Sequence, residues 1–300
     1  MTTPRATSQR VHAAEERFIP ANDVELCVET FGDPGAPPVL LISGTACSMD
    51  WWEDDLCRRL AAGDRFVIRY DHRDTGRSTG FPSGEPPYRF DDLVTDAAVL
   101  LEQLGVGPAH VCGVSMGGAV AQRLAIEHPH LVSSLTLLST SPALRVNKRP
   151  HPDLPPISPA LLASFAEERP TPDWTDRAAV IDHVVAGQRP LAGALAIEET
   201  RLRRIAGRMF DRSGDIATSL SNHWMIDGGS DYRSSLSRIA VPTLVIHGTE
   251  DPLFPLGHGE ALADEIPEAR LLPLAGVGHQ MPPAATWETV VPALLAHTAG

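Results

Sequence analysis

One lysine, Lys148, stands among the 25 basic residues of this 300-residue chain. That arginine bias speaks of GC-rich coding and not of chemistry. The charge balance is strongly negative, −13 at pH 7 with a pI near 5.3, which excludes a nucleic-acid or anionic-membrane surface as the expected partner. No apolar run approaches the roughly 18 residues of a membrane span. Cysteine is scarce: Cys27, Cys47, Cys57 and Cys112 show no Cys-x-x-Cys spacing, and two of them sit inside apolar runs. Free thiols in a cytoplasmic protein are the expectation, not disulfides. Twelve histidines contain no His-Glu-x-x-His or comparable ligand spacing, so no metal and no cofactor is expected. The stretch Met1 to Phe18 is polar and lacks the apolar segment of a secretory signal; it reads as a loose leader.

What is present points to a folded α/β protein. With 43% hydrophobic residues over 300 positions, the chain supports one large domain or a core plus a subdomain. Arg17 to Gly32 contains two extended runs around the turn-forming pair Asn22-Asp23, which predicts an antiparallel hairpin at a sheet edge. Short, nearly continuous apolar runs follow at Val39–Ser43, Phe66–Tyr70, His110–Val114, Leu135–Ser139, Thr243–His247 and Arg270–Leu274, as expected of strands buried on both faces. Helical spacing appears at Trp52–Ala62, Phe90–Leu104, Gly117–His128, Gly257–Ile266 and Thr286–Thr298. Such alternation calls for a mostly parallel, eight-stranded sheet flanked by helices, with its chemistry beyond the carboxyl ends of the strands.

The alternation stops at about Pro142 and resumes at about Val241. A proline-rich start (Pro150, Pro152, Pro155, Pro156, Pro159) gives way to helical patterns at Ser158–Glu168, Asp176–Gln188, Leu195–Arg212 and Ile216–Met225. The expected organisation is a core of residues 1–141 and 241–300 with a helical cap, residues 142–240, inserted after the sixth strand. A structural excursion without a substrate role is the alternative, although long insertions at this edge usually serve function.

The chemistry centres on Gly113-Val-Ser115-Met-Gly117, a Gly-x-Ser-x-Gly pentapeptide between an apolar β-run and a helix start. A serine on a sharp strand-to-helix turn projects its hydroxyl, and the flanking glycines relieve clashes. Alone, the pattern also fits a glycine-rich turn closing a strand. Asp251, in the turn after Thr243–His247, and His279, in Gly-Val-Gly-His-Gln-Met-Pro, complete the order Ser, Asp, His that a serine triad on this topology requires. His279 is the expected base and Asp251 the group that orients it; Glu250 is the adjacent alternative acid. His128, His247, His258 and His297 lack a glycine-framed loop and are assigned to surface or packing, as is His72. Backbone N–H groups of Thr45, in Ser43-Gly44-Thr45-Ala46-Cys47-Ser48, and of Met116 are the candidate oxyanion donors. Gly44 merely permitting a tight loop is the alternative.

In this register the chain resembles the α/β-hydrolase superfamily over nearly its whole length. The stretch Val67-Ile-Arg-Tyr-Asp-His-Arg-Asp-Thr-Gly-Arg-Ser78, with Gly113–Gly117, Val241–Ile246 and Gly278-His279, is similar to the aclacinomycin methylesterase subgroup, whose members cleave a methyl ester from an anthracycline polyketide. The resemblance implies that Asp71, Arg73, Gly76 and Ser78 form scaffold, with Arg73 tying loops together. Two departures stand out: Ser43-Gly44 replaces the more usual His-Gly, and Asp74 stands where many superfamily members carry glycine.

The leading expectation is a cofactor-independent carboxylic ester hydrolase acting on a small-molecule ester through an acyl-serine, in line with a methylesterase on a bulky aromatic substrate. Carbon–carbon bond hydrolysis and cofactor-free perhydrolysis use the same residues; a receptor-like binding protein is the reading from another class. Trp51, Trp52 and Trp224, with Phe165, Met209, Phe210 and Met225, are candidates to line an apolar pocket, and core packing is an equal account of any one of them.

Overall fold

A computed structural model describes residues 16–143, 151–167, 170–229 and 231–299; the bulk of the polar leader, Lys148 and Pro150 lie outside these residues. The hairpin opens the chain, with β1 at Arg17–Ala21 and β2 at Val24–Phe31. Asn22 and Asp23 both have positive φ (46° and 63°), the pairing that matches a two-residue turn to the twist of its strands. There follow β3 (Pro38–Ile42), α1 (Asp54–Ala62), β4 (Phe66–Tyr70), α2 (Phe90–Leu104), β5 (Ala109–Val114), α3 (Met116–Glu127) and β6 (Val132–Leu138). Among the described residues, four α-helices lie between β6 and the next strand: α4 (Pro159–Ala166), α5 (Arg177–Gln188), α6 (Glu199–Arg212) and α7 (Ile216–Ser221). The chain closes with β7 (Thr243–Gly248), α8 (Gly257–Glu265), β8 (Arg270–Leu274) and α9 (Trp287–His297).

The eight strands form one sheet in the order β1-β2-β4-β3-β5-β6-β7-β8. Only the β1/β2 and β2/β4 pairs are antiparallel; from β4 onward the ladder is parallel. Side chains alternate between two apolar layers, as the pleat demands. Leu40, Ile42 and Ile68 enter the layer under α2 and α3, while Val39, Leu41 and Val67 enter the layer shared with α1 and α9. Helix α2 ends at Gly105, whose φ of 62° is the left-handed stop that glycine supplies most readily.

The segment between β6 and β7 joins the core through several sets of contacts, three of which bear on the site. Val180 and Val184 of α5 and Ile205 and Met209 of α6 belong to the apolar layer that contains Trp52 and Leu56. Arg201, Arg204, Arg208 and Arg212 form a stripe along α6 at helical spacing. Arg201 and Arg204 grip Glu53 (2.5 Å each); Arg208 pairs with Asp50 and Asp54 (2.9 Å each); Arg212 pairs with Asp50 and Asp71 (2.7 Å each). The third attachment is residues 191–195. The Leu195 N–H donates to Gly276 O (3.0 Å), the Ala194 N–H to Glu250 Oε2 (2.8 Å), and the His279 N–H to Leu191 O (2.7 Å).

Helix α6 therefore begins at Glu199 instead of Leu195, because the backbone of Ala194 and Leu195 is engaged with neighbouring loops. The pattern Ile216–Met225 likewise divides into α7 and a 3₁₀ turn over Asn222–Trp224, where side chains of Asn222 and His223 bond to core loops.

Candidate active site

Ser115 follows β5 and caps the start of α3, with φ 53° and ψ −118°. The turn closes only because its flanks are bare. A Cβ on Gly113 would lie 2.1 Å from Gly117 O, and one on Gly117 would lie 2.4 Å from both Ile42 O and Ser43 O. The glycine spacing in the sequence thus reports direct contact between turn, helix start and the end of β3.

Opposite the hydroxyl, His279 Nε2 lies 3.0 Å from Ser115 Oγ, and His279 Nδ1 lies 2.8 Å from Asp251 Oδ2. Asp251 is 3% exposed and His279 9%, so this chain of bonds is largely shielded from water. The other Asp251 oxygen accepts the N–H groups of Leu253 (2.9 Å) and Phe254 (2.8 Å). Three donors on its two oxygens fix the orientation of the carboxylate. An imidazole placed this way can take the serine proton during attack and return it to a leaving group, with the carboxylate holding the tautomer. Glu250 points elsewhere, accepting from Ala194.

The loop after β3 packs beside the serine: a Cβ on Gly44 would sit 3.4 Å from Ser115 Cβ. Thr45 follows Gly44 in this loop, and Met116 supplies the first N–H of α3, where the helix dipole favours negative charge. Cys47 lies in the same loop, and burial pushes its thiol up to about 12, away from the thiolate that a nucleophile needs.

Four other histidines are each bonded through a ring nitrogen to the surrounding fold. His72 is fully buried with Nε2 at 3.1 Å from Ser43 O, and burial depresses its affinity for a proton to about 3. His247 Nε2 meets Phe254 O at 2.7 Å, His258 bridges Ser141 Oγ and Pro155 O at 2.9 Å each, and His297 Nε2 meets Leu135 O at 3.0 Å. Arg73 forms a two-pronged pair with Asp96 (2.7 and 2.5 Å) and lies over the Tyr88 ring.

Asp74 takes φ 67°, which accounts for the glycine common at this place. Its carboxylate accepts from the Phe81 N–H (2.6 Å), the Tyr88 hydroxyl (2.5 Å) and the Asn222 amide (3.0 Å). Trp51 and Trp52 are buried, at 5% and 0% exposure, within the layer shared with α5 and α6, and Trp51 Nε1 donates to Met209 Sδ (3.0 Å). Trp224 is 66% exposed. Phe165 and Met225 are also exposed, and Met209 is buried.

A family profile described as the alpha/beta hydrolase fold matches residues 37–282. The chain belongs to this family. It is 32% identical to rhodomycin D methylesterase DauP of Streptomyces sp., over 94% of this chain and 97% of that protein. The same figures relate it to rhodomycin D methylesterase DnrP of Streptomyces peucetius, and it is 28% identical to 3-oxoadipate enol-lactonase 2 of Acinetobacter baylyi over 84% of this chain and 85% of that protein. Among solved structures, a bromoperoxidase from Bacillus anthracis matches with a TM-score of 0.74 at 22% identity, covering 95% of this chain and all of that one. An enol-lactonase from Burkholderia xenovorans matches at 0.71 and 21% with the same coverage. Both likenesses are of fold. Among the described residues no helix is long and apolar enough to cross a membrane, and no group of three or more acidic, histidine or cysteine side chains is arranged to hold a metal.

Two parts of the site carried little sequence signal. His223, whose ring touches the β3 loop, lies 177 residues from its partner Ala46 in no recognisable motif. The α6 arginines, which hold the inserted segment to the core, belong to no motif either: their acidic partners lie on separate elements and loops whose approach only the fold sets.

Proposed function

We propose that the protein is a carboxylic ester hydrolase in which Ser115 is the nucleophile, His279 the general base and acid, Asp251 the orienting acid, and the N–H groups of Thr45 and Met116 the oxyanion hole. The observation that carries this reading is the unbroken chain of bonds from Ser115 Oγ through His279 to Asp251. Attack of Ser115 Oγ on the ester carbonyl passes its proton to His279 Nε2. The tetrahedral oxyanion turns toward Thr45 and Met116, and collapse expels the alcohol with the proton from His279. Water, deprotonated by the same imidazole, then releases the acid from the acyl-serine and restores the hydroxyl.

A methyl ester on a bulky aromatic, polyketide-like acid is the proposed substrate class, supported by the 32% identity to two rhodomycin D methylesterases along nearly the full chain. Residues 142–240 are the proposed cap. Trp224 is its candidate for contact with an aromatic substrate, since Trp51 and Trp52 offer almost no free surface. The cytoplasmic setting inferred from the thiols belongs to the same proposal.

The test is a burst of p-nitrophenol from an activated ester, paired with fluorophosphonate labelling of Ser115. Ser115→Ala is expected to abolish both, lowering kcat by about 10⁴-fold or more. Absence of burst and label in the unaltered protein would remove the proposal. Aromatic methyl esters run beside vinylogous diketones and short acyl esters then test the substrate class.

A further inference from the structure

The loop proposed to carry Thr45 as an oxyanion donor is not held by its own strand alone. Ala46, its next residue, takes φ 58°, a conformation a non-glycine residue keeps only when its surroundings fix it. Its N–H donates to His223 Nδ1 at 3.1 Å. The ring is 5% exposed, and its other nitrogen, Nε2, meets Arg73 O at 2.9 Å. A ring that accepts at Nδ1 must carry its proton on Nε2; the carbonyl of Arg73 selects that tautomer and presents the Nδ1 lone pair to the loop. His72 and Tyr88 stack edge-on against the ring at 5.8 and 6.4 Å, leaving it little rotational freedom.

We propose that His223, carried by the segment inserted between β6 and β7, is the positioning residue of the oxyanion hole: its Nδ1 holds Ala46 in the left-handed conformation that aims the preceding Thr45 N–H beside Ser115. The inference rests on the oxyanion assignment given above. A different role is open to the same ring, namely anchoring the inserted segment to the core through Arg73 O. That task is already shared: Asn222 bonds to Asp74 (3.0 Å), Pro82 O (3.2 Å) and the Gly84 N–H (3.1 Å), and Ser219 Oγ donates to Asp74 O (2.6 Å). The bond to Ala46 is the one of the two ring contacts that reaches the loop beside Ser115.

The two ring bonds are separable by isosteres. In His223→Asn the side-chain carbonyl occupies the place of Nδ1 and still accepts from Ala46, while the bond to Arg73 is lost. In His223→Gln the amide N–H reaches the place of Nε2 and serves Arg73, while Ala46 loses its acceptor. With p-nitrophenyl esters, His223→Gln is expected to lower kcat by about 10²-fold with KM within about threefold, since loosening a positioned donor weakens transition-state and not ground-state binding. Affinity for an aryl boronate, which forms a tetrahedral adduct on the serine, should fall in proportion. His223→Asn should stay within about fivefold of the unaltered protein in both. The reverse order, or equal kcat in the two variants, overturns the proposal. If neither variant folds, amide exchange of Ala46 in the unaltered protein decides: strong protection supports the bond to His223, and exchange at the rate of an open loop overturns it. Loss of the positioning role would leave a Ser115-dependent burst in the unaltered protein, whereas no burst would remove the esterase reading and this inference together.

Discussion

At Ser115 the backbone sits at φ 53°, ψ −118°, outside the ordinary basins, and conformations of this kind cost of order 1–3 kcal/mol when their surroundings do not impose them. Here the surroundings do so through contacts that leave no room for a methyl group. Gly113→Ala, whose Cβ would meet Gly117 O at 2.1 Å, is expected to destabilise the fold by about 3 kcal/mol or more and to abolish esterase activity; a chemical melt beside a p-nitrophenyl ester assay checks both. Asp74 tests a different kind of residue. Asp74→Gly suits the backbone but strips acceptors from Tyr88, Phe81 and Asn222, so a loss of about 1–3 kcal/mol is expected, read as a lower urea midpoint. An unchanged midpoint would show that these three donors find water at no cost. Ser115, Asp251 and His279 could be found in the sequence because each follows an apolar run and sits in a turn with its own local grammar. Asp74 announced itself only as a departure from glycine, since its partners come from two separate segments, the β4–α2 loop and the 3₁₀ turn at Asn222, that no local pattern connects.

Elements with a strong period were legible almost to the residue. Helix α2 begins and ends where its apolar spacing and Gly105 predict, and the Asn22-Asp23 hairpin follows from its turn chemistry. Helix α6 was read too long because Leu195 extends its apolar pattern backwards, and pattern alone cannot know that the Leu195 N–H is taken by Gly276. The arginine stripe on α6 carries an energetic prediction of its own. Asp50 and Asp71 have no side-chain exposure where they pair with Arg212, so Arg212→Ala leaves two buried carboxylates short of a partner and is expected to cost about 3–5 kcal/mol. Arg177→Ala, which breaks a pair exposed at 52% and 53%, should leave the denaturation midpoint unmoved. Equal effects from the two substitutions would show that burial does not govern these bridges.

Over the whole molecule, buried histidines contribute to the response to acid. Burial, the leading cause in each, holds His72, His110, His223, His247, His258 and His297 below the ordinary histidine range. Below pH 6.5 the unfolded chain therefore binds protons that the folded chain refuses, and stability falls as pH drops through that window. Urea midpoints at steps from pH 7.5 to 5 should decline. His72→Gln, which retains a donor for Ser43 O, should flatten the slope by up to about 1.4 kcal/mol per pH unit; an unaltered slope would mean that His72 is protonated in the folded state.

The contact between residues 191–195 and the His279 loop reaches beyond geometry. A Cβ on Gly278 would lie 2.2 Å from Leu191 O, and one on Gly193 would lie 2.4 Å from Gly276 O, so two stretches of bare backbone lie directly on one another. The turn that presents His279 is thus built partly from the inserted segment, and that segment is no interchangeable module. Exchange of residues 142–240 with those of another hydrolase would transplant specificity only where the donor brings an equally slender stretch of backbone to this spot. A trimmed version lacking the segment would leave the His279 turn without the backbone it rests on.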